Sequence, residues 1–148
     1  LGHRYVVERA AACFDEVVIT VVVNPNKRGM FGVDERIELI EEDCADLANV
    51  RVDRWEGLLV DYLRQESIHT IVKGLRSAVD FDYEVPMAQM NRELADVETV
   101  FLLTDPRFAH VSSSLVKEVA KLGGDVTPFL SAHVHKSLMS RLSGELSA

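Results

Sequence analysis

The sequence lacks several features that mark whole classes of protein. It contains no apolar run long enough to cross a membrane and no recognisable secretory leader. Only two cysteines occur, and the separation of Cys13 and Cys44 suits neither a zinc site nor a redox pair. Both lie in helix-like segments, where we expect packed thiols. These absences predict a cytoplasmic protein in a reducing compartment, with no membrane partner.

Positive charge is also scarce. The 16 Lys and Arg residues are outnumbered by 24 Asp and Glu residues, and the net charge of −8 argues against a nucleic-acid-binding protein. Any anionic ligand must therefore be held by a local cluster of Lys, Arg and His side chains. The length of 148 residues and the hydrophobic fraction of 47% predict a single domain over residues 1–148 with a substantial core.

Helix and strand patterns alternate along the chain. The apolar periodicity predicts helices at 6–14, 37–47, 58–63, 82–94, 117–122 and 134–142, and strands at 17–23, 50–52, 68–72 and 99–103. Gly32 is the expected cap of the second helix, with Glu35 at its third position. The β-branched run at 17–23 predicts a strand buried on both faces. Pro86 must lie near the first turn of its helix or kink it.

This alternation predicts an α/β fold in which a parallel sheet carries helices on both faces. In such sheets ligands bind outside the carboxyl ends of the strands. Cations follow three strands: Lys27 and Arg28 the first, Lys73 and Arg76 the third, and Arg107 with His110 the fourth. The sequence therefore predicts an anion-binding edge built from three loops.

Each of these residues also has a structural interpretation. Lys27 and Arg28 alone are typical of charges in a polar loop. Lys73 ends an apolar strand, where a lysine needs an anionic partner. Arg76 could pair with Asp80 or Glu84 on the following helix. A lone histidine such as His3 is more often a capping or core residue than a ligand.

Three serines precede the helix that we expect from Lys117. A helix start offers unpaired N–H groups and the positive end of the helix dipole, and hydroxyl donors complete a phosphate cradle. The alternative is that the serines only cap the helix. With Ser114 as the cap, the third helical position is Lys117 and not the Glu or Gln of a capping box. A cation at that position favours a bound anion.

Several motifs in this order resemble the bacterial phosphopantetheine adenylyltransferases, a family of the nucleotidyltransferase superfamily. The likeness extends from Leu1 to about Leu142. The motifs are Gly2-His3, Asn24-Pro25-Asn26-Lys27-Arg28-Gly29-Met30-Phe31, Lys73-Gly74-Leu75-Arg76, Asp80-Phe81-Asp82-Tyr83-Glu84, Ala88-Gln89-Met90-Asn91 and Val111-Ser112-Ser113-Ser114.

The resemblance implies a Rossmann-like fold and a reversible reaction in which ATP and 4′-phosphopantetheine give dephospho-coenzyme A and pyrophosphate. It also implies Mg²⁺ carried with ATP and no metal-ligating side chains, coenzyme A as a feedback ligand, and a homohexamer.

The resemblance further implies roles for individual residues. His3, Lys27 and Arg76 would be catalytic, and Lys27, Leu59 and Lys73 would bind phosphopantetheine. Gly74, Leu75 and Arg76 would form an ATP-binding turn. The full set of implied ATP contacts is His3, Gly74, Leu75, Arg76, Glu84, Phe108, Ala109, His110, Val111, Ser112, Ser113 and Ser114.

The sequence departs from this family at its start. The family begins with a strand and a Gly-[Ser/Thr]-Phe-Asp-Pro loop before the motif that ends in Gly2-His3, and neither is present here. We expect the natural protein to have this N-terminal strand. Two alternatives stay open: another small nucleotidyltransferase, acting on nicotinamide mononucleotide or glycerol phosphate, and a nonenzymatic nucleotide-binding module if the segment is truly absent.

Overall fold

The computed structural model describes residues 1–23 and 29–146, with side chains as far as residue 144. Its elements alternate between helix and strand as predicted. They are α1 (Gly2–Cys13), β1 (Val17–Val23), α2 (Val33–Cys44), β2 (Val50–Glu56), α3 (Leu59–Gln65), β3 (Thr70–Leu75), α4 (Ala78–Ala95), β4 (Glu98–Leu103), a 3₁₀ turn (Pro106–Phe108), α5 (Ser113–Lys121), a second 3₁₀ turn (Thr127–Phe129) and α6 (Ala132–Leu146).

The strands pair in parallel, which confirms the predicted α/β class. β1 pairs with β2 so that Val23 faces Glu56, and β3 pairs with β4 so that Leu75 faces Leu103. The described strands form two two-stranded sheets and not the one continuous sheet that we expected. Helix α1 contacts both β1 and the β3–β4 pair. The carboxyl ends of β3 and β4 therefore meet, whereas strand pairing does not join the end of β1 to them as the predicted three-loop edge requires.

Strand β1 has the predicted bounds but not the predicted burial. Of its seven residues only Val21 is fully buried, and Val22 is exposed. The β-branched run alone predicted burial on both faces, which is wrong for the described structure. The physical reason is that, among the described strands, β1 pairs with β2 alone, so less of the protein covers it than covers a central strand of a wide sheet.

Several elements have bounds that differ from the predicted ones. Helix α4 starts at Ala78, and the Ser77 hydroxyl caps it by accepting the Asp80 N–H at 3.3 Å. Pro86 consequently lies inside α4 and not in its first turn. Helix α5 starts at Ser113 and not at 117, and β3 continues to Leu75. The Ser77 cap sets the start of α4 and two serines open α5, and neither signal belongs to the apolar periodicity, which therefore locates a helix better than it locates its first residue.

The predicted cap of α2 is confirmed. Gly32 precedes the helix in an extended conformation, and its N–H donates to the Glu35 carboxylate at 2.7 Å. This hydrogen bond is the main reason that the pKa of Glu35 lies below its usual value, and the charge of Arg141 on α6 adds to the effect. Glu35 therefore stabilises the start of α2, and its ion pair with Arg141 connects α2 to α6.

Two hydrophobic clusters hold these elements together. One joins α5 to α6 through Val116, Val126 and Leu138, and Met30 and Phe31 pack against it. The first cluster therefore fixes the start of α5 next to the segment that follows residue 28. The other cluster consists of Tyr62, Leu63 and Val97, packed against residues of β1, β2 and β3.

The two cysteines differ in environment. Cys44 is buried at the end of α2, and burial raises the pKa of its thiol. Cys13 is exposed at the end of α1, so our expectation of two packed thiols is wrong for this residue. It falls on the solvent side of the last turn of α1, which the sequence pattern did not resolve. Among the described residues, no helix combines the length and apolarity needed to span a bilayer.

Gly74 lets α1 lie close against β3. A Cβ atom built at Gly74 would lie 2.7 Å from Val6 Cγ2 and 3.2 Å from Thr104 Cγ2. A contact of 2.7 Å is shorter than carbon atoms tolerate, so a side chain here would push α1 away from the strand. Because His3 lies one turn before Val6, this packing also sets the position of His3 relative to the end of β3.

We predict that Gly74→Ala lowers the free energy of unfolding by about 1–3 kcal/mol, the usual penalty for overpacking a well-filled interior. Chemical denaturation monitored by circular dichroism measures the change. The double variant Gly74→Ala/Val6→Ala removes the clashing methyl groups and serves as the matched control. Its loss relative to Val6→Ala alone should be clearly smaller, and an equal loss would contradict the steric explanation.

Candidate functional site

The carboxyl end of β3 carries an arginine held in a fixed orientation. Arg76 donates from Nε and Nη2 to the two oxygens of Asp80, at 2.9 and 3.0 Å, and its backbone N–H donates to the same carboxylate at 2.9 Å. This bidentate pair raises the pKa of Arg76 and lowers that of Asp80, mainly through these side-chain hydrogen bonds. The structural partner that the sequence offered for Arg76 is therefore formed.

The same guanidinium reaches a second segment of the site. Arg76 Nη1 donates to the backbone oxygen of Val111 at 3.1 Å. Val111 belongs to the stretch that leads into α5, while Arg76 follows β3. Arg76 thus fixes the end of one strand relative to the start of the helix that carries the serines.

Lys73 also has an anionic partner within the chain. Its Nζ lies 3.2 Å from Glu84 Oε2. Asp80 and Glu84 are one turn apart on α4, so both carboxylates lie on the same side of the helix. The first turns of α4 therefore face the two cations at the end of β3 with one acid for each.

His3 lies in the first turn of α1, within electrostatic range of Arg76. The preceding Gly2 is close to the 3₁₀ turn after β4, since a Cβ built on it would lie 3.4 Å from Phe108 Cβ. Water reaches part of the His3 side chain, yet surrounding protein atoms lower its pKa by desolvation. The positive charge of Arg76 acts in the same direction. Both effects favour the neutral form of the imidazole.

The serines do not share one role. Ser112 is the N-cap of α5, and its hydroxyl accepts the Leu115 N–H at 3.2 Å. We expected the cap at Ser114, and the structure moves it two residues earlier. Ser113 and Ser114 are the first two residues of the helix and are exposed. Capping therefore explains Ser112 only, and the other two hydroxyls stand at the positive end of the helix dipole.

An open cleft borders Ser114. It has a volume of about 650 Å³ and lies between the segment after residue 28 and helix α5. Its lining includes two lysines one turn apart on α5 and the apolar side chains of Met30 and Leu122. The lining residues are Gly29, Met30, Ser114, Lys117, Glu118, Lys121 and Leu122. The cleft therefore extends along one side of α5, from Ser114 in its first turn to Leu122 just after its end.

The geometry thus gathers cations, an imidazole and a helix start with free hydroxyls around the end of one parallel strand. The family model described as cytidylyltransferase-like matches residues 1–119. The chain belongs to this family. The match extends from α1 into α5 and contains every residue that we predicted for the site. It confirms the broad resemblance to nucleotidyltransferases and with it a nucleotide-binding function.

Other predicted residues of this cytidylyltransferase-like protein lie apart from that group or have other contacts. Leu59, the first residue of α3, packs against the cluster of Tyr62 and Val97. The His110 ring meets Phe129 edge to face, with 5.6 Å between the ring centroids. Lys27 lies outside the described residues. Gly74 and Leu75 belong to β3, so the predicted turn is a strand end.

The sequence analysis overlooked Asp105. This residue is almost fully buried after β4, and its carboxylate accepts from Arg107 Nε and Nη2 and from the Arg107 N–H. The pair lowers the pKa of Asp105 through the side-chain hydrogen bonds. An Asp followed by Pro106 is a recognisable start of a helical turn, and that signal could have located it. Asp105 holds the turn that precedes the serine segment.

Proposed function

We propose that this protein catalyses the reversible transfer of an adenylyl group from ATP to 4′-phosphopantetheine, giving dephospho-coenzyme A and pyrophosphate. Family membership supports nucleotidyl transfer, and the sequence motifs support this acceptor. The observation that carries the proposal is the position of Arg76 between β3 and the segment before α5, with Lys73 and His3 nearby. Two phosphate-bearing substrates need such a group of cationic and neutral donors.

The proposed reaction requires the protein mainly to position the two substrates and to stabilise negative charge. A phosphate oxygen of the acceptor is already ionised near neutral pH and attacks the α-phosphorus of ATP, while pyrophosphate leaves on the opposite side. No protein base or covalent intermediate is needed, so catalysis consists of alignment and stabilisation of negative charge. We propose that Arg76 and the exposed hydroxyls of Ser113 and Ser114 hold the ATP phosphates. Neutral His3 would donate an N–H bond to the charge that develops at the α-phosphate.

Each of the two site cations already pairs with a carboxylate, and these two ion pairs limit how a ligand phosphate can bind. Lys73 is neutralised by Glu84, so an acceptor phosphate that binds Lys73 must replace or share that carboxylate. Arg76 is held by Asp80 but keeps the outer part of its guanidinium directed to the Val111 segment. We propose that Lys73 exchanges its partner on binding, whereas Arg76 stays in place.

Mg²⁺ is proposed to enter with ATP. Among the described residues, no three His, Cys, Asp or Glu side chains are arranged to hold a metal ion. Asp80 and Glu84, the carboxylates that face the end of β3, each pair with a cation of the chain. These residues suit an ion that is coordinated mainly by phosphate oxygens and water. Bound in this way, Mg²⁺ would neutralise the departing pyrophosphate.

Pyrophosphate release tests the proposal. The protein is incubated with Mg²⁺ and either ATP or CTP, together with 4′-phosphopantetheine, nicotinamide mononucleotide or glycerol 3-phosphate. Release that requires ATP and 4′-phosphopantetheine supports the proposal. Release with another pair identifies a different nucleotidyltransferase, and ATP binding without release under any pair supports a nonenzymatic module.

We predict that Glu84→Gln distinguishes two roles for this carboxylate. If Glu84 acts as the counter-ion of Lys73, its neutral variant should lower the KM for 4′-phosphopantetheine by up to about fivefold, the scale of a partly exposed ion pair. The KM for ATP should then change little. Steady-state kinetics with each substrate varied in turn measures both values.

The control variant is Glu98→Gln, since Glu98 pairs with Arg92 away from the site. A raised KM for ATP in Glu84→Gln, with no change for the acceptor, would contradict the counter-ion role. That result would instead favour the ATP contact that the family resemblance implies.

Three further properties belong to the same proposal. We propose a cytoplasmic location, feedback binding of coenzyme A at the site of its close chemical relative dephospho-coenzyme A, and a homohexamer. All three are implied by the resemblance to phosphopantetheine adenylyltransferases.

A further inference from the structure

Arg141 on helix α6 contacts the segment that leads into α2. The central carbon of its guanidinium lies 5.8 Å from the centroid of the Phe31 ring, within the range of a cation–π contact. Its Nη2 also pairs with Glu35 Oε1. The other oxygen of that carboxylate accepts the Gly32 N–H at 2.7 Å. Arg141 therefore holds the start of α2 and the residues before it through two separate contacts.

This segment forms one side of the cleft beside α5. We call residues 29–32 the cleft wall, because Gly29 and Met30 line the cleft from this side. Met30 and Phe31 also pack against the hydrophobic cluster that α5 and α6 share. Ser114 lines the same cleft from the first turn of α5. The position of the cleft wall therefore sets the width of the cleft next to Ser114.

Helix α6 gives Arg141 a firm support. Leu138, one turn before Arg141, and Leu142, directly after it, are both buried in the core. Closer to the start of α6, His133 Nε2 lies 3.2 Å from Asp43 Oδ1 near the end of α2. Helix α2 is thus joined to α6 near both of its ends. The backbone that carries Arg141 is therefore fixed relative to both α2 and α5.

We propose that Arg141 is a positioning residue for nucleotide binding, which holds the cleft wall at the distance from Ser114 that a bound nucleotide requires. Arg141 does not itself line the cleft, so it acts through Phe31 and Glu35. The inference rests on the proposed binding of ATP phosphates at Ser114, and it does not depend on the acceptor. The family match ends at residue 119, before α6, so this role lies outside the matched part of the chain.

The two contacts limit the size of the expected effect. A contact that favours the binding conformation lowers the Kd of a ligand by no more than the factor by which it shifts that equilibrium. Both contacts are partly open to water, since the side chain of Arg141 is 41% exposed and that of Glu35 is 46% exposed. One exposed ion pair and one exposed cation–π contact together correspond to roughly 3–30-fold. Arg141→Ala should raise the Kd for ATP by a factor in this range.

Isothermal titration of the whole chain with Mg²⁺ and a nonhydrolysable ATP analogue measures this Kd. Arg92→Ala is the matched control, because Arg92 pairs with Glu98 at 3.2 Å in an exposed ion pair away from the cleft. It should keep the wild-type Kd. Arg141→Lys keeps the positive charge and should retain part of the affinity that Arg141→Ala loses. Together with Glu35→Gln, it also supplies the test should Arg141→Ala fail to give the wild-type circular dichroism spectrum.

A double-mutant cycle tests whether Arg141 acts through Glu35. Glu35→Gln removes the charge but keeps an oxygen that can accept the Gly32 N–H. Because both single changes break the same ion pair, the combined variant Arg141→Ala/Glu35→Gln should raise the Kd by less than the product of the two single effects. A purely structural role for Arg141 would lower the melting temperature and leave the Kd of all three variants unchanged.

Hydrogen exchange of the unliganded protein gives a second measurement that needs no nucleotide. In Arg141→Ala, amides of residues 29–35 should exchange faster than in the wild type, whereas amides of α3 should exchange at the wild-type rate. Equal exchange in both regions, or a wild-type Kd in folded Arg141→Ala, would overturn this inference alone. A wild-type protein that does not bind the ATP analogue would overturn the proposed function and this inference together.

Discussion

Replacement of His3 by alanine is expected to lower kcat for pyrophosphate formation by roughly 10²–10³-fold while the Kd for ATP changes little. The size is that of removing one donor which acts mainly in the transition state. His3 lies in the first turn of α1 within electrostatic range of Arg76, and desolvation lowers its pKa and so favours the neutral imidazole. It would therefore act as an N–H donor and not as a fixed positive charge.

Two further variants make this test specific. His3→Gln keeps an N–H donor, so it should retain part of the activity that His3→Ala loses. His69→Ala removes an exposed imidazole just before β3 and should leave kcat unchanged. Initial rates give kcat, and isothermal titration with a nonhydrolysable ATP analogue gives the Kd. A His3→Ala protein with near-normal kcat would refute the assignment.

Replacement of Asp80 by alanine is expected to raise the KM for ATP by roughly 10–100-fold, although Asp80 need not touch the nucleotide. Asp80 fixes the guanidinium of Arg76 through two side-chain hydrogen bonds and one to the Arg76 N–H. Without it, Arg76 loses its orientation and also its hold on Val111, and a misplacement of about 1 Å is enough for an effect of this size.

Asp61→Ala provides the control for Asp80→Ala. Asp61 pairs with Arg64 at 3.2 Å on α3, outside the site, so its loss removes a similar exposed ion pair without touching Arg76. Asp80→Glu, which keeps the charge at a changed distance, should fall between wild type and Asp80→Ala. Equal kinetics for Asp80→Ala and Asp61→Ala at matched melting temperatures would show that Asp80 has no positioning role.

Much of the fold was visible in the sequence because local patterns decide it. The β-branched run at 17–23 predicted strand β1 with its observed bounds, and Gly32 with Glu35 predicted the start of α2. Both depend on residues next to each other in the chain. The positions of Lys73 and Arg76 at a strand end also follow from counting along the sequence, since strand alternation brings carboxyl ends to one edge.

Partners from distant parts of the chain were not visible in this way. From the sequence, either Asp80 or Glu84 could pair with Arg76. Only the packing of α4 showed that Asp80 pairs with Arg76 and that Glu84 pairs with Lys73. No sequence pattern predicted the hydrogen bond from Arg76 to the Val111 carbonyl, because every residue carries the same backbone carbonyl group.

The sequence by itself determined the α/β class, the family and the set of candidate phosphate-binding residues, since these depend on periodicity and on motifs of neighbouring residues. Only the tertiary structure decided how each cation is paired, and that Ser112 caps α5 while Ser113 and Ser114 stay open. The physical reason is the same in each case. Hydrogen bonding and burial depend on which distant segments come into contact, and the order of residues along the chain does not give the distances between those segments in the fold.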